Sequence, residues 1–170
     1  MDVSKLTAGD KAPEEINVFV EISQGSSIKY ELDKDTGMLM VDRFGYGAMF
    51  YPFNYGFVPA THAEDEDPID VLVISTYAVQ PGTMIKARPI GMLEMEDEEG
   101  IDTKIIAVPT KKIDPFMRET EDIEDIGEIT KAKIKNFFDR YKDLEEGKWV
   151  KTRNFLSKKD ALAAIKKAMK

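Results

Sequence analysis

Cysteine is absent from the 170 residues, so the chain has no disulfide framework, no thiolate nucleophile and no zinc–thiolate site. Its fold must rest on packing alone, which fits a reducing cytoplasm. Histidine occurs once, at His62, which excludes a His pair at zinc spacing and reads as a loop residue rather than a catalyst. Positive charge is in the minority: 24 Lys and Arg stand against 32 Asp and Glu, for a net charge of -8. Constitutive nucleic-acid binding draws its affinity from Lys and Arg on phosphates, so this balance argues against it while leaving small anionic substrates open. No apolar run reaches membrane-spanning length, and Met1-Asp2-Val3-Ser4-Lys5-Leu6 lacks the apolar stretch of a signal peptide. A soluble, cytoplasmic protein with no membrane partner is expected. A Gly-rich Walker loop and a Gly-x-Ser-x-Gly elbow are also missing, which argues against nucleophilic catalysis by a protein side chain.

The length suits a single domain over residues 1–170. From Ile16 to Val108, short apolar or alternating runs are separated by Gly, Pro, Asn and Asp signals. The expected strands are Ile16–Ile22, Ile28–Leu32, Leu39–Arg43, Val71–Ile74, Met84–Met95 and Thr103–Val108, with Pro109 closing the last. Beyond Pro115 the period changes. Ile134, Phe137, Phe138, Tyr141 and Leu144 recur on one helical face, and Gly147 is expected to end that helix. A second helix follows Ser157, which with Asp160 forms a capping box ahead of a Leu162, Ile165 and Met169 stripe. Strands first and helices last imply an α+β domain.

The chemistry concentrates in Asp65-Glu66-Asp67-Pro68-Ile69-Asp70-Val71, where three aspartates precede an apolar strand. In an extended segment Asp65 and Asp67 share a face, and Pro68 lets the chain turn before Asp70, so the three can converge at a strand entrance. Converging carboxylates repel unless a cation sits among them, and oxygen-only ligation suits magnesium, manganese or calcium. From this segment alone, a solvated acidic loop remains an equal alternative. Two strands add one cation and one carboxylate each to a common side: Asp102 with Lys104, and Lys29 with Glu31, while Asp97 extends the acidic set. Tyr51 and Tyr55 stand out in the aromatic stretch Arg43–Phe57, because a phenol joins an apolar body to a donor for a phosphate oxygen or a water. Arg43 offers a planar fork suited to phosphate, and Tyr141-Lys142 and Lys148-Trp149 repeat the pairing of aromatic and cation. Together these describe a site where hard cations bind an anionic phosphate and activate water.

The Asp65–Val71 segment resembles the signature of the family I soluble inorganic pyrophosphatases. The runs Ile28-Lys29-Tyr30-Glu31, Val41-Asp42-Arg43-Phe44, Met49-Phe50-Tyr51-Pro52, Asn54-Tyr55-Gly56 and Tyr141-Lys142-Asp143-Leu144-Glu145 are similar to that family in order and spacing. The length resembles its short prokaryotic branch. The resemblance implies an α+β fold, a five-stranded OB-like β-barrel with two main flanking helices, and magnesium-dependent hydrolysis of pyrophosphate to two phosphates, with several Mg2+ per active site. It also implies a homohexamer. By the same carry-over, Asp65, Asp70 and Asp102 hold activating metals, and Asp97 and Glu31 help bind those that arrive with substrate. Lys29, Arg43, Lys104, Tyr141 and Lys142 bind the phosphates. Asp67 is the general base, Tyr55 lies near the nucleophilic water, and Glu21, Tyr51 and Lys148 are supporting residues. Glu66 departs from the pattern, which prefers Gly, Ser, Asp or Asn there, residues that accept left-handed or turn backbone more readily.

Two rival readings belong to other classes. One is a non-catalytic OB-type module binding nucleic acid or polyphosphate through the rings of Phe50–Phe57, against which the acidic balance weighs. The other is a calcium-binding structural protein; an EF-hand loop counted from Asp65 fails, because its sixth position holds Asp70 where Gly is required.

Overall fold

The computed structural model describes residues 5–63 and 66–169. Among them the strands are β1 (Ile16–Ile22), β2 (Ile28–Leu32), β3 (Leu39–Phe44), β4 (Asn54–Phe57), β5 (Asp70–Val73), β6 (Thr83–Asp97), β7 (Gly100–Ile101), β8 (Lys104–Pro109) and β9 (Val150–Ser157). The helices are α1 (Glu128–Arg140) and α2 (Lys158–Ala168), with short 3-10 turns at Pro115–Met117 and Ile123–Asp125.

Five strands close into a ring: β1 pairs β4, β4 pairs β5, β5 runs parallel to β8, β8 pairs β6, and β6 returns to β1. The length of β6 makes closure possible. Its first residues pair with β1, its middle with β8, and its end with β7 and β9, with register shifts at Pro89/Gly91 and Leu93/Met95 that bend it from one neighbour to the next. Gly56 on β4 permits the close approach to β1, since a Cβ there would stand 1.9 Å from the Phe19 carbonyl oxygen. The β2–β3 hairpin forms a separate two-stranded sheet.

β5 and β8 of the ring read as nearly continuous apolar runs because both of their faces are covered. Val71, Val73, Ile105 and Ala107 pack in one cluster with Ala161, Ile165 and Ala168 of α2. The alternate residues Leu72, Ile106 and Val108 pack in a second cluster with Ile134, Phe137 and Phe138 of α1. This is the two-residue period of a strand, and each fully buried aliphatic side chain contributes about 1.5–3 kcal/mol.

Several expectations need correction. Strands do not all precede helices: β9 lies between α1 and α2 and pairs with β6. β4 was not expected, since Asn-Tyr-Gly-Phe is short and places Asn and Gly, residues typical of turns, at its buried positions. It is held instead by the Asn54 side chain, whose Oδ1 accepts from the amides of Gln24 (3.1 Å) and Val79 (2.8 Å). α1 ends at Arg140 and not at Gly147. After it the chain tightens into turns in which the amides of Asp143 and Glu145 donate to the carbonyls of Arg140 and Lys142, leaving Leu144 exposed. The Ser157–Asp160 capping box is present, but the buried stripe of α2 is Ala161, Ile165 and Ala168, and Met169 is exposed. β8 begins at Lys104, so Asp102 and Thr103 precede the strand. No helix of the described residues is long and apolar enough to cross a membrane.

Candidate active site

A cavity of about 700 Å³ opens between the ring, the β2–β3 hairpin and the turn that follows α1. Strand register builds its floor. β5 and β8 run parallel with Val71 opposite Ile105, which sets Asp70 level with Lys104 on the neighbouring strand. β4 and β5 are antiparallel with Phe57 opposite Asp70, so Tyr55, two residues before Phe57, projects to the same side. The contacts follow. Lys104 Nζ lies 2.5 Å from Asp70 Oδ2 and 2.5 Å from Asp102 Oδ1, and Tyr55 Oη donates to Asp70 Oδ2 at 2.7 Å.

Lys104 is almost fully buried. Burial alone would lower its pKa, but Asp70 and Asp102 outweigh that and hold the ammonium well above the ordinary lysine value. Tyr55 is pushed well up by burial and then by the negative charge of Asp70, so its hydroxyl stays a proton donor. Burial also raises Asp102, with Lys104 opposing.

The hairpin supplies the outer wall. Lys29 on β2 pairs in register with Arg43 on β3, and Lys29 Nζ contacts Glu31 Oε1 at 2.5 Å and Asp42 Oδ2 at 3.3 Å. Arg43 Nε reaches Glu145 Oε1 at 3.3 Å. Glu21, on β1 between floor and hairpin, accepts the Leu32 N–H at 2.8 Å. Its burial, reinforced by Asp70 and Glu31, raises its pKa to about 7. On the remaining side Lys142 Nζ binds Asp97 Oδ2 at 2.9 Å, beside Tyr141, whose pKa burial raises. Asp67 lines the mouth of the cavity and meets Lys34 Nζ at 3.4 Å.

Glu21, Lys29, Glu31, Arg43, Tyr55, Asp67, Asp70, Asp97, Asp102, Lys104, Tyr141 and Lys142, all nominated by the sequence, thus share one cavity. Two of the supporting residues do not line it. Tyr51 is buried beneath, with ring centroids 5.3 Å from Tyr55, 4.6 Å from Phe137 and 6.4 Å from Tyr141, so it props the two cavity tyrosines. Lys148 lies outside and pairs with Glu98 at 2.6 Å, which in turn stands 3.9 Å from Lys142. Asp65 falls outside the described residues. Glu66 has φ of 71°, the left-handed backbone that the aspartate segment requires there, and His62 lies away from the cavity with Nδ1 3.4 Å from the Glu66 carbonyl oxygen.

Sequence reasoning missed Asp42, Glu98, Glu145 and Lys34. Asp42 neighbours Arg43 and by strand alternation should face away from it; a register shift between Lys29 and Tyr30 breaks that rule. Glu98 and Glu145 act on cations far away in the chain, which no local period reveals.

The donor set fits a hard divalent cation. Asp70, Asp102, Asp97, Glu31 and Asp67 offer only oxygen toward the cavity, and among the described residues no sulfur or imidazole lines it with them. Among the described residues no three acidic or imidazole groups already form a closed shell; ammonium groups sit against these carboxylates instead.

The family model for inorganic pyrophosphatase matches residues 18–170. An inorganic pyrophosphatase of Aquifex pyrophilus is 56% identical, over 99% of this chain and 96% of its own length. A solved inorganic pyrophosphatase from Helicobacter pylori superposes with TM-score 0.94 at 52% identity, covering 97% of this chain and 96% of the other. One from Thermus thermophilus superposes with TM-score 0.95 at 43% identity, covering 99% and 97%. These matches run nearly from end to end of the chain and so take in the strands that carry the cavity. The chain belongs to the inorganic pyrophosphatase family.

Proposed function

We propose that this cavity hydrolyses pyrophosphate by direct attack of water, within one domain spanning residues 1–170 whose strand ring is OB-like. The observation that carries the reading is the floor, where a buried cation, two carboxylates and a tyrosine hydroxyl meet within hydrogen-bond distance. Pyrophosphate is a polyanion that repels a nucleophile, so its charge must be offset before attack. Lys29, Arg43, Lys104, Tyr141 and Lys142 surround the cavity and donate to phosphate oxygens. Asp67 accepts a proton from the attacking water as the new phosphorus–oxygen bond forms and the bridging phosphorus–oxygen bond breaks, with the second phosphate leaving. Asp65, Asp70 and Asp102, with Asp97 and Glu31, would hold Mg2+. When bound, the metal supplies charge neutralisation and lowers the pKa of water. Tyr55 fixes Asp70, while Glu21, Tyr51 and Lys148 support the walls.

The same reading places the enzyme in the cytoplasm as a homohexamer, supported by the likeness to bacterial relatives; sedimentation as a monomer at micromolar concentration would contradict the hexamer. A polyphosphate- or nucleic-acid-binding module is disfavoured by the net charge of -8 and by the family match.

Two variants test the roles. Asp70→Asn removes a ligand charge, so the loss should appear as weakened magnesium affinity and be partly rescued by excess magnesium. Asp67→Asn removes the base and should lower turnover by about 10²–10⁴-fold with no rescue. Calorimetric magnesium titration together with turnover against magnesium separates them. If Asp67→Asn loses metal binding as severely and recovers with magnesium, Asp67 is a ligand and not the base.

A further inference from the structure

The turn joining β2 to β3 is tightly fixed for a segment so exposed. The Asp33 carboxylate accepts the backbone N–H groups of Asp35 (3.0 Å) and Thr36 (2.7 Å) and the Thr36 hydroxyl (3.0 Å). The Gly37 N–H, on a residue with φ of 68°, donates to the Asp33 carbonyl at 2.8 Å, and the Asp33 N–H donates to the Met38 carbonyl at 2.9 Å. Such an Asx-stapled turn has one shape. Lys34 therefore leaves it in a set direction, along the cavity wall formed by Asp33, Lys34 and Asp35, and its Nζ comes to 3.4 Å from Asp67 Oδ1.

As an ion pair this contact does little for the fold, because both side chains are largely exposed, at 65% and 74%. Its place is what matters. The pair joins the hairpin tip to the acidic segment across the mouth of the cavity. The neighbouring cavity lysines are held at other carboxylates: Lys29 at Glu31 and Asp42, Lys104 at Asp70 and Asp102, and Lys142 at Asp97.

We propose that Lys34 is a positioning residue for hydrolysis: from the stapled β2–β3 turn, its ammonium orients the Asp67 carboxylate for taking the proton of the attacking water. This rests on the reading of Asp67 as general base. A base works only within hydrogen-bond reach of the proton it accepts, and a carboxylate on an exposed segment has several rotamers, few of which point at the water. A charge-assisted contact from a rigid turn selects among them, and a small misplacement of a reacting group can cost up to about 10²-fold in rate.

The test is steady-state pyrophosphate hydrolysis at saturating magnesium by Lys34→Gln and Lys34→Arg, each also combined with Asp67→Asn, with melting temperatures alongside. Lys34→Gln should lower kcat by about threefold to fivefold with KM within about twofold and an unchanged melting temperature. Lys34→Arg should restore most of the loss. In the Asp67→Asn background, Lys34→Gln should have no further effect, since the group it positions is gone. An unchanged kcat in Lys34→Gln overturns the proposal, as does a raised KM at constant kcat, which would make Lys34 a substrate ligand. An equal loss in the Asp67→Asn background overturns it too. Full activity in Asp67→Asn alone would instead sink the general-base assignment beneath it, a result distinct from failure of the Lys34 variants.

Discussion

The floor of the cavity and its hairpin wall carry the same kinds of charge in different surroundings. On the floor, Lys104 is 4% exposed and meets Asp70 and Asp102 at 2.5 Å, with Asp70 and Lys104 carried by β5 and β8 of the closed ring and Asp102 just ahead of β8. On the hairpin, Lys29 meets Glu31 at the same 2.5 Å, but its side chain is 29% exposed, that of Glu31 is 54% exposed, and their sheet has only two strands. Equal distances therefore do not mean equal energies. On the floor Lys104 has lost its water on folding and depends on its two aspartates, whereas on the hairpin both members of the pair can exchange a protein partner for solvent. The floor is built round a desolvated cation, and the hairpin wall round a solvated pair.

Lys104→Gln should expose this difference most strongly. Without its ammonium, Asp70 and Asp102 face each other uncompensated, and breaking such a pair costs about 3–5 kcal/mol, at the lower end here because both aspartates keep some contact with water. Urea unfolding with metal chelated measures it, and magnesium should return part of the loss. A cost below about 1 kcal/mol would make the floor no different from the surface.

Glu21, between the two regions, should give an effect of comparable size and opposite sign. Its ordinary pKa of 4.5 is raised to about 7, chiefly by burial, so the native state binds the extra proton between those values and stability falls as pH rises through that window. Glu21→Gln keeps the oxygen that accepts the Leu32 N–H and removes the buried charge. With metal chelated it should be more stable than wild type by about 3 kcal/mol above pH 7, with the difference vanishing as pH falls to 4.5. A difference independent of pH would show that the carboxylate is solvated in the folded protein.

Lys29→Gln should have the smallest effect on stability, under about 1 kcal/mol by the same urea unfolding, although it removes a cation from the cavity. A cost matching that of Lys104→Gln would erase the distinction between floor and hairpin.

Much of this arrangement was legible in the sequence because it rests on local periodicity. β1 and β2 were readable to the residue, since each carries apolar positions bounded by turn residues, and Lys29 and Glu31 do share a strand face. Asp102 and Lys104 also meet, although Asp102 precedes the strand, because the chain there stays extended enough to keep both on one side. What could not be read depends on partners distant in the chain. β9 carries charged and polar residues on its way along β6 and gains its strand character only from that pairing. α1 stops at Arg140, and the turn after it carries Tyr141 and Lys142 into the cavity wall, which helical spacing does not encode. The left-handed backbone at Glu66 was foreshadowed only by the residues that the family pattern prefers in its place.

The most direct test of the central claim is phosphate release from pyrophosphate by the purified protein, measured with magnesium and again after chelation. Stoichiometric release of two phosphates per pyrophosphate that needs magnesium and stops on chelation is the expected result. Binding of pyrophosphate without phosphate release in the presence of magnesium, or release indifferent to chelation, would contradict a site built from carboxylates that hold metal and cations that hold phosphate.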